Sequence, residues 1–253
     1  MNADDLNSRL SRISTIWTLL SDAQKSLRTR ADDARLALIQ RYQGAAYRYL
    51  LGALRNPDAA DELFQEFALR VMQGAFAHAD PERGRFRSYL KTMLYHLIVD
   101  YQRRQQRLPR SLQSTVADPA GPGPETPESD RQFLASWRDE ILARAWASLA
   151  EAERNGGQPF HSVLKFRAEH PDASSADMAE RLTGQLPAHP FTEAGVRKAL
   201  QRARAQFADL LLDDVAHSLG EHSPDQLEEE LIALDLLPYC RSALKRRREQ
   251  GAA

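Results

Sequence analysis

A single cysteine, Cys240, among 253 residues leaves no intramolecular disulfide to form, so nothing points to an oxidising compartment. No stretch approaches the run of roughly 20 apolar residues that a membrane-spanning helix needs. The opening Met1-Asn2-Ala3-Asp4-Asp5 is acidic and lacks the basic start and apolar run of a signal peptide. The expected location is the cytoplasm, with no membrane partner. Glycine-rich phosphate loops and nucleophile-elbow patterns are missing as well. The 7 histidines are scattered, and only His217 and His222 lie close, without a third ligand at metal spacing. Cys240 beside Tyr239 reads as packing rather than as a nucleophile. The expectation is a protein that is not an enzyme and that needs no cofactor and no metal.

Strand-like alternation is also scarce, while the three-and-four spacing of amphipathic helices recurs along the chain. With 42% hydrophobic and 27% charged residues, the composition is that of a folded protein, not a disordered one. Leu36, Ile39, Tyr47, Leu50 and Leu54 share one face of a first long helix. Asn56-Pro57 reads as an N-cap followed by proline at the first helical position, opening a second helix. Its apolar stripe is Ala60, Leu63, Phe64, Phe67 and Val71, and Gly74 ends it. The stretch 78–87, with Pro81 and Gly84, reads as a loop. A third helix, from about 88 to 107, buries Leu90, Met93, Leu94, Leu97 and Tyr101. With support from an N-terminal helix around 10–27, these elements enclose one core.

Residues 109–129 differ from what precedes them. Five prolines (109, 119, 122, 124 and 127), two glycines and almost no large apolar side chain make this a flexible linker at a domain boundary. A second helical region starts near Asp130, with Phe133, Trp137, Ile141 and Leu149 as its buried face and Asn155-Gly156-Gly157 as its stop. A shorter helix follows over about 160–168. Ser174 to Asp177 fits a capping box ahead of a short helix holding Met178 and Leu182. Thr192 caps a longer helix with Val196, Leu200, Phe207 and Leu211 on its apolar line. Two short helices and a final long one make a helix-turn-helix domain plausible. Ser223-Pro224 opens another helix, carrying Leu227, Leu231 and Leu234, which Pro238 is expected to end. The last basic piece, through Lys245-Arg246-Arg247-Arg248, is expected to fray.

The near-balance of 34 basic and 35 acidic residues conceals three segregated surfaces. On the polar face of the second helix, Asp58, Asp61, Glu62 and Gln65 fall together, with Glu66 adjacent. A solvated face accounts for them, since acids are favoured in a first helical turn, and so does a docking surface. Between 78 and 107, Arg83, Arg85, Arg87, Lys91, Arg103, Arg104 and Arg107 interleave with Phe86, Tyr89, Tyr95 and Tyr101. Positive charge holds a phosphate backbone and aromatic faces stack on bases; the dipole also favours arginines at a helix C-terminus. On the helix opened by Thr192, Arg197, Lys198, Gln201, Arg202 and Arg204 lie outside the apolar line. Such side chains reach base edges and phosphates in a major groove, and they also make an ordinary solvated face.

The order of these surfaces resembles a known family. Leu38-Ile39-Gln40-Arg41-Tyr42 through Leu54, then Ala60-Asp61-Glu62-Leu63-Phe64-Gln65-Glu66-Phe67-Ala68-Leu69-Arg70, resembles the second conserved region of extracytoplasmic-function (ECF) sigma factors of bacterial RNA polymerase. Phe86-Arg87-Ser88-Tyr89-Leu90 and Asp100-Tyr101-Gln102-Arg103-Arg104 continue the likeness. Ala79-Asp80-Pro81-Glu82-Arg83-Gly84-Arg85 is similar to members found in planctomycetes. Thr192-Glu193-Ala194-Gly195-Val196-Arg197-Lys198-Ala199-Leu200-Gln201-Arg202-Ala203-Arg204 resembles the recognition helix of the family's fourth region.

The resemblance implies an all-α protein of two helical domains joined by a flexible linker. A helical extension (1–33) precedes a region 2-like domain (34–108); the linker (109–129) leads to a region 4-like helix-turn-helix domain (130–216) and a C-terminal helical extension (217–253). Asp58, Asp61, Glu62, Gln65 and Glu66 would dock on the clamp helices of the polymerase β′ subunit. Arg83, Arg85, Phe86, Arg87, Tyr89, Lys91, His96, Arg103 and Arg104 would capture the −10 element of promoter DNA. Thr192, Glu193, Arg197, Lys198, Gln201, Arg202 and Arg204 would read the −35 element, their domain also touching the β flap. Linker acids Asp118, Glu125 and Glu128 would approach the active centre. An anti-sigma factor or another regulator is a further candidate partner.

The sequence departs from the family's pattern in places. Ala59 stands where the acidic cluster usually begins with aspartate, Tyr89 replaces a frequent tryptophan, and His96 takes a position often held by asparagine. The turn from Thr183 to Pro190 is longer than the usual tight one. The alternative reading is a helix-turn-helix regulator that binds DNA without the polymerase core.

Overall fold

A computed structural model describes residues 30–75, 85–107, 127–187, 189–220 and 222–251. The helix expected around 10–27, the loop residues 76–84 with Arg83, and most of the proline-rich stretch, including Asp118 and Glu125, lie outside the described residues. Among those described, the regular structure consists of nine α-helices. They fall into two compact units, the first ending at Glu140 and the second starting at Ile141.

The first unit contains α1 (Arg30–Leu54), α2 (Pro57–Met72), α3 (Phe86–Arg107) and the first half of α4 (Pro127–Arg154). Arg55, at φ 50°, breaks α1 so that the chain can turn into α2. The Asn56 side chain accepts the backbone N–H groups of Asp58 and Ala59 at 3.0 and 3.2 Å, and Pro57 occupies the first turn. That cap satisfies two of the orphan donors at the helix start. Ile39, Tyr47, Leu50, Leu63, Phe64, Phe67, Leu90, Leu94 and Leu97 are fully buried. Each large apolar side chain removed from water contributes about 1.5–3 kcal/mol before ordering costs.

The first half of α4 completes this core. Trp137 stacks on Tyr42, with ring centroids 4.8 Å apart and planes 12° apart. Phe133 meets Tyr49 edge-on at 5.2 Å, and the Tyr49 hydroxyl shares a 2.9 Å hydrogen bond with Ser129. Arg48 donates to Glu140 at 2.6 Å. Gly44 and Gly52 of α1 face the ends of the Glu140 and Gln132 side chains, flexible groups that a Cβ at either position would displace. The sequence reading starts the second domain at 130; here Phe133 and Trp137 belong to the first unit, and the division falls within a helix.

The second unit holds the rest of α4, then α5 (Phe160–Glu169), α6 (Ser175–Gln185), α7 (Glu193–Leu219), α8 (Pro224–Ala233) and α9 (Leu237–Gly251). Gly156, at φ 84°, follows the end of α4, a backbone state that costs a side-chain-bearing residue more. Ser174 and Asp177 form a reciprocal capping box on α6, Thr192 caps α7, and Ser223 with Gln226 forms a second box on α8. Val163 and Phe166 of α5, Met178 and Leu182 of α6, and Val196 and Leu200 of α7 make one core. Helix α6 runs on through Thr183, whose hydroxyl accepts the Phe191 N–H at 2.9 Å, so the connection to α7 starts at Leu186 rather than Thr183.

Two expectations for the C-terminal end are corrected. Pro238 does not end α8, which stops at Ala233; Asp235 at φ 55° makes the turn, and Pro238 lies in the first turn of α9. Proline is tolerated there because the N–H it lacks has no intrahelical acceptor. The basic run does not fray into a separate tail. Arg246 donates to Asp209 at 2.8 and 3.1 Å, Arg247 pairs with Asp213, and Arg248 reaches Asp225 and Glu228 at 3.0 and 2.8 Å. Beneath these pairs Cys240, Ala243 and Leu244 are buried.

Candidate binding surfaces

Helix α2 turns its apolar stripe inward, and the residues between the stripe positions form the acidic face. Asp58, Glu62 and Gln65 are exposed, while Asp61 and Glu66 are half-buried. Ala59, at the position where the related pattern begins with aspartate, is buried against the core, so Asp58 is the acid presented at this end. Asp61 is fixed from below: the buried Tyr47 donates its hydroxyl to the Asp61 carboxylate at 2.7 Å. Glu66 accepts from Arg70 at 2.6 Å and from Arg104 at 3.1 Å. The outward charge is thus carried mainly by Asp58 and Glu62. Burial raises the Tyr101 phenol above its ordinary pKa, and the negative charge of Glu62 adds to the effect.

Helix α3 divides the residues expected at the −10 element into two sets. Tyr89 (40% exposed), His96 and Arg103 are open to solvent, with the Tyr95 and His96 rings 5.3 Å apart. Phe86 instead lies 5.0 Å from the Tyr42 ring and 6.4 Å from Trp137, within the aromatic cluster. Lys91 forms an ion pair with Asp130 of α4, and Arg104 is tied to Glu66. Arg85 and Arg87 are half-buried at the start of the helix. Residues of α2 and α3 from two expected surfaces are therefore joined through one ion-pair cluster, Arg70–Glu66–Arg104.

On α7, the Thr192 hydroxyl accepts the Gly195 N–H at 3.1 Å and acts as a cap, and Glu193 pairs with Arg197 one turn along. Arg197, Lys198, Gln201, Arg202 and Arg204 are all exposed. The sequence reading missed the side chains that hold or flank these surfaces: Tyr47, Arg70, Asp130 and Trp137 in the first unit, Arg167 in the second. Tyr47 and Trp137 were legible as buried positions. Their polar reach and their ring partners come from residues distant in sequence.

All three surfaces are carried by helices. Residues 38–108 match the family described as Sigma-70 region 2. The match covers α2 and α3 and most of α1, and leaves the second unit outside it. Neither the curated proteins nor the solved structures contain a match to the chain. Among the described residues, no helix is long and apolar enough to cross a membrane.

Proposed function

We propose that the protein is an alternative, ECF-type sigma factor that recruits core RNA polymerase in the cytoplasm to promoters with −10 and −35 elements. The observation that carries the reading is the coincidence of the matched segment, 38–108, with the acidic face of α2 and the exposed basic and aromatic residues of α3. Asp58, Asp61, Glu62 and Gln65 are the residues proposed to dock on the β′ clamp helices. Tyr89, His96 and Arg103 are proposed to hold the −10 strand, with Arg85 and Arg87 at the helix start. Unstacking a base costs a few kcal/mol, which stacking and charge can offset.

The second unit is proposed to act as region 4. The short helix α6, the turn and the long helix α7 follow the helix-turn-helix order, and the capped N-terminal half of α7 presents Arg197, Lys198, Gln201 and Arg202 to solvent. Such a helix end suits a major groove.

The test is complex formation between the full chain and bacterial core RNA polymerase, read by gel filtration. A stoichiometric complex, lost in Glu62→Lys with helicity intact, is the expected result. A folded protein that binds duplex DNA but never core polymerase would instead be a free-standing helix-turn-helix regulator.

A further inference from the structure

The C-terminal helix α9 does more than extend the second unit. Together with α5 and α7 it encloses an open groove of about 660 Å³. Arg167 of α5, Arg197 and Arg204 of α7, and Arg246 of α9 all line it, and no acidic residue does. Like charges gathered in one concavity repel unless an anion sits among them.

Two of the four guanidiniums are balanced from outside the groove, Arg197 by Glu193 and Arg246 by Asp209. The other two are not: among the described residues neither Arg167 nor Arg204 has an ion-pairing carboxylate. Arg167 is held in place by neutral groups instead, donating to the carbonyls of Pro171 and Ala173 at 2.8 Å each. Its charge is positioned without being neutralised. The planar fork of arginine matches phosphate oxygens, and α9 adds the Ser242 hydroxyl and the exposed Tyr239 phenol on the far wall.

We propose that this groove binds phosphate oxygens of the DNA backbone beside the site reached by α7, so that the C-terminal helix is part of the DNA-binding surface. The proposal rests on the reading of α7 as a DNA-contacting helix. A long polyanion is favoured over a free nucleotide or polyphosphate because the positive surface does not stop at the groove. Lys198 and Arg202, exposed on the same helix, are not among the residues lining it. A small anion would cover the groove alone, whereas a duplex covers both.

The experiment is fluorescence anisotropy of the full chain with short duplex DNA of arbitrary sequence across a salt series, with inorganic tripolyphosphate as competitor. Ser242→Glu and Arg204→Gln are expected to weaken duplex binding several-fold. Arg204→Gln is also expected to lower the salt slope by about 1, the signature of one lost phosphate contact. Both positions are exposed on helices, and an unchanged thermal melt verifies that the fold is kept. Lys198→Gln, outside the groove, tests α7 alone. If it weakens binding while Ser242→Glu and Arg204→Gln do not, the groove is overturned and the recognition-helix reading stands. If all three bind as the parent does, or the parent binds no duplex, both readings fall. Tripolyphosphate binding that is lost in Ser242→Glu, with duplex affinity unchanged, would assign the groove to a free polyphosphate and overturn its role on DNA.

Discussion

The hydroxyl of Tyr47, a side chain wholly buried in α1, donates a 2.7 Å hydrogen bond to the Asp61 carboxylate on the acidic face of α2. One end of this contact belongs to the hydrophobic core and the other to the surface proposed to meet the polymerase. The core thereby sets the direction of a surface charge.

Tyr47→Phe keeps the ring packing and removes only that donor. A hydrogen bond to a charged group contributes roughly 1.5–3 kcal/mol, so a loss of about 1–2 kcal/mol is expected at this half-buried site. Urea denaturation measures it. Affinity for core polymerase should fall as well, although no surface charge has changed; a stability loss with full affinity would mean that the aim of Asp61 does not matter for docking.

The Arg48–Glu140 pair ties α1 to α4 at 2.6 Å, with the two side chains 19% and 13% exposed. Removing one partner of a largely buried pair strands the other charge. Glu140→Ala is expected to cost about 2–3 kcal/mol in chemical denaturation, below the cost at a fully buried site. Replacing both residues at once, as Arg48→Met with Glu140→Leu, should restore most of that loss. If the double variant is no better than the single one, the pair's value lies in its geometry rather than in charge compensation.

Burial pushes the Cys240 thiol from 9.0 up to about 11, with Asp209 adding to the effect. The thiolate is the reactive form, so alkylation of native protein near neutral pH should be very slow and should become rapid on unfolding. The linkage sign follows from the raised value. The neutral thiol's contribution to stability is complete below 9.0 and is lost as pH rises from there through about 11. Cys240→Ala should flatten the alkaline end of the stability profile relative to the parent. Equal alkaline slopes would show that Cys240 is not the group responsible.

The features that could be read in the sequence are the local ones. Asn56-Pro57, Ser174 with Asp177, Thr192 and Ser223 with Gln226 are caps because each side chain reaches a backbone N–H within three residues. The apolar stripes of α2 and α7 were legible for the same reason, as periodicity within one helix. What was not legible depends on partners far away in the chain. Phe86 has the rings of Tyr42 and Trp137 beside it, which its own segment does not announce. Lys91 and Arg104 have Asp130 and Glu66 beside them, partners that lie far off in sequence. The basic tail looked mobile because its acids, Asp209 and Asp213, stand more than thirty residues earlier. Pro238 is ambiguous in the sequence because a proline signals a stop or a start according to which side of it is helical.

The extent of α4 changes how the molecule can be divided. Proline-rich stretches invite a cut, and the one here would separate Trp137 and Phe133 from the tyrosines they cover. An isolated first half that stopped at such a cut would present Tyr42 and Tyr49 as an uncovered aromatic floor, prone to clumping for reasons unrelated to its biological partners. Swapping halves between related proteins would meet the same obstacle, since the seam between modules runs through a helix, downstream of where composition marks it.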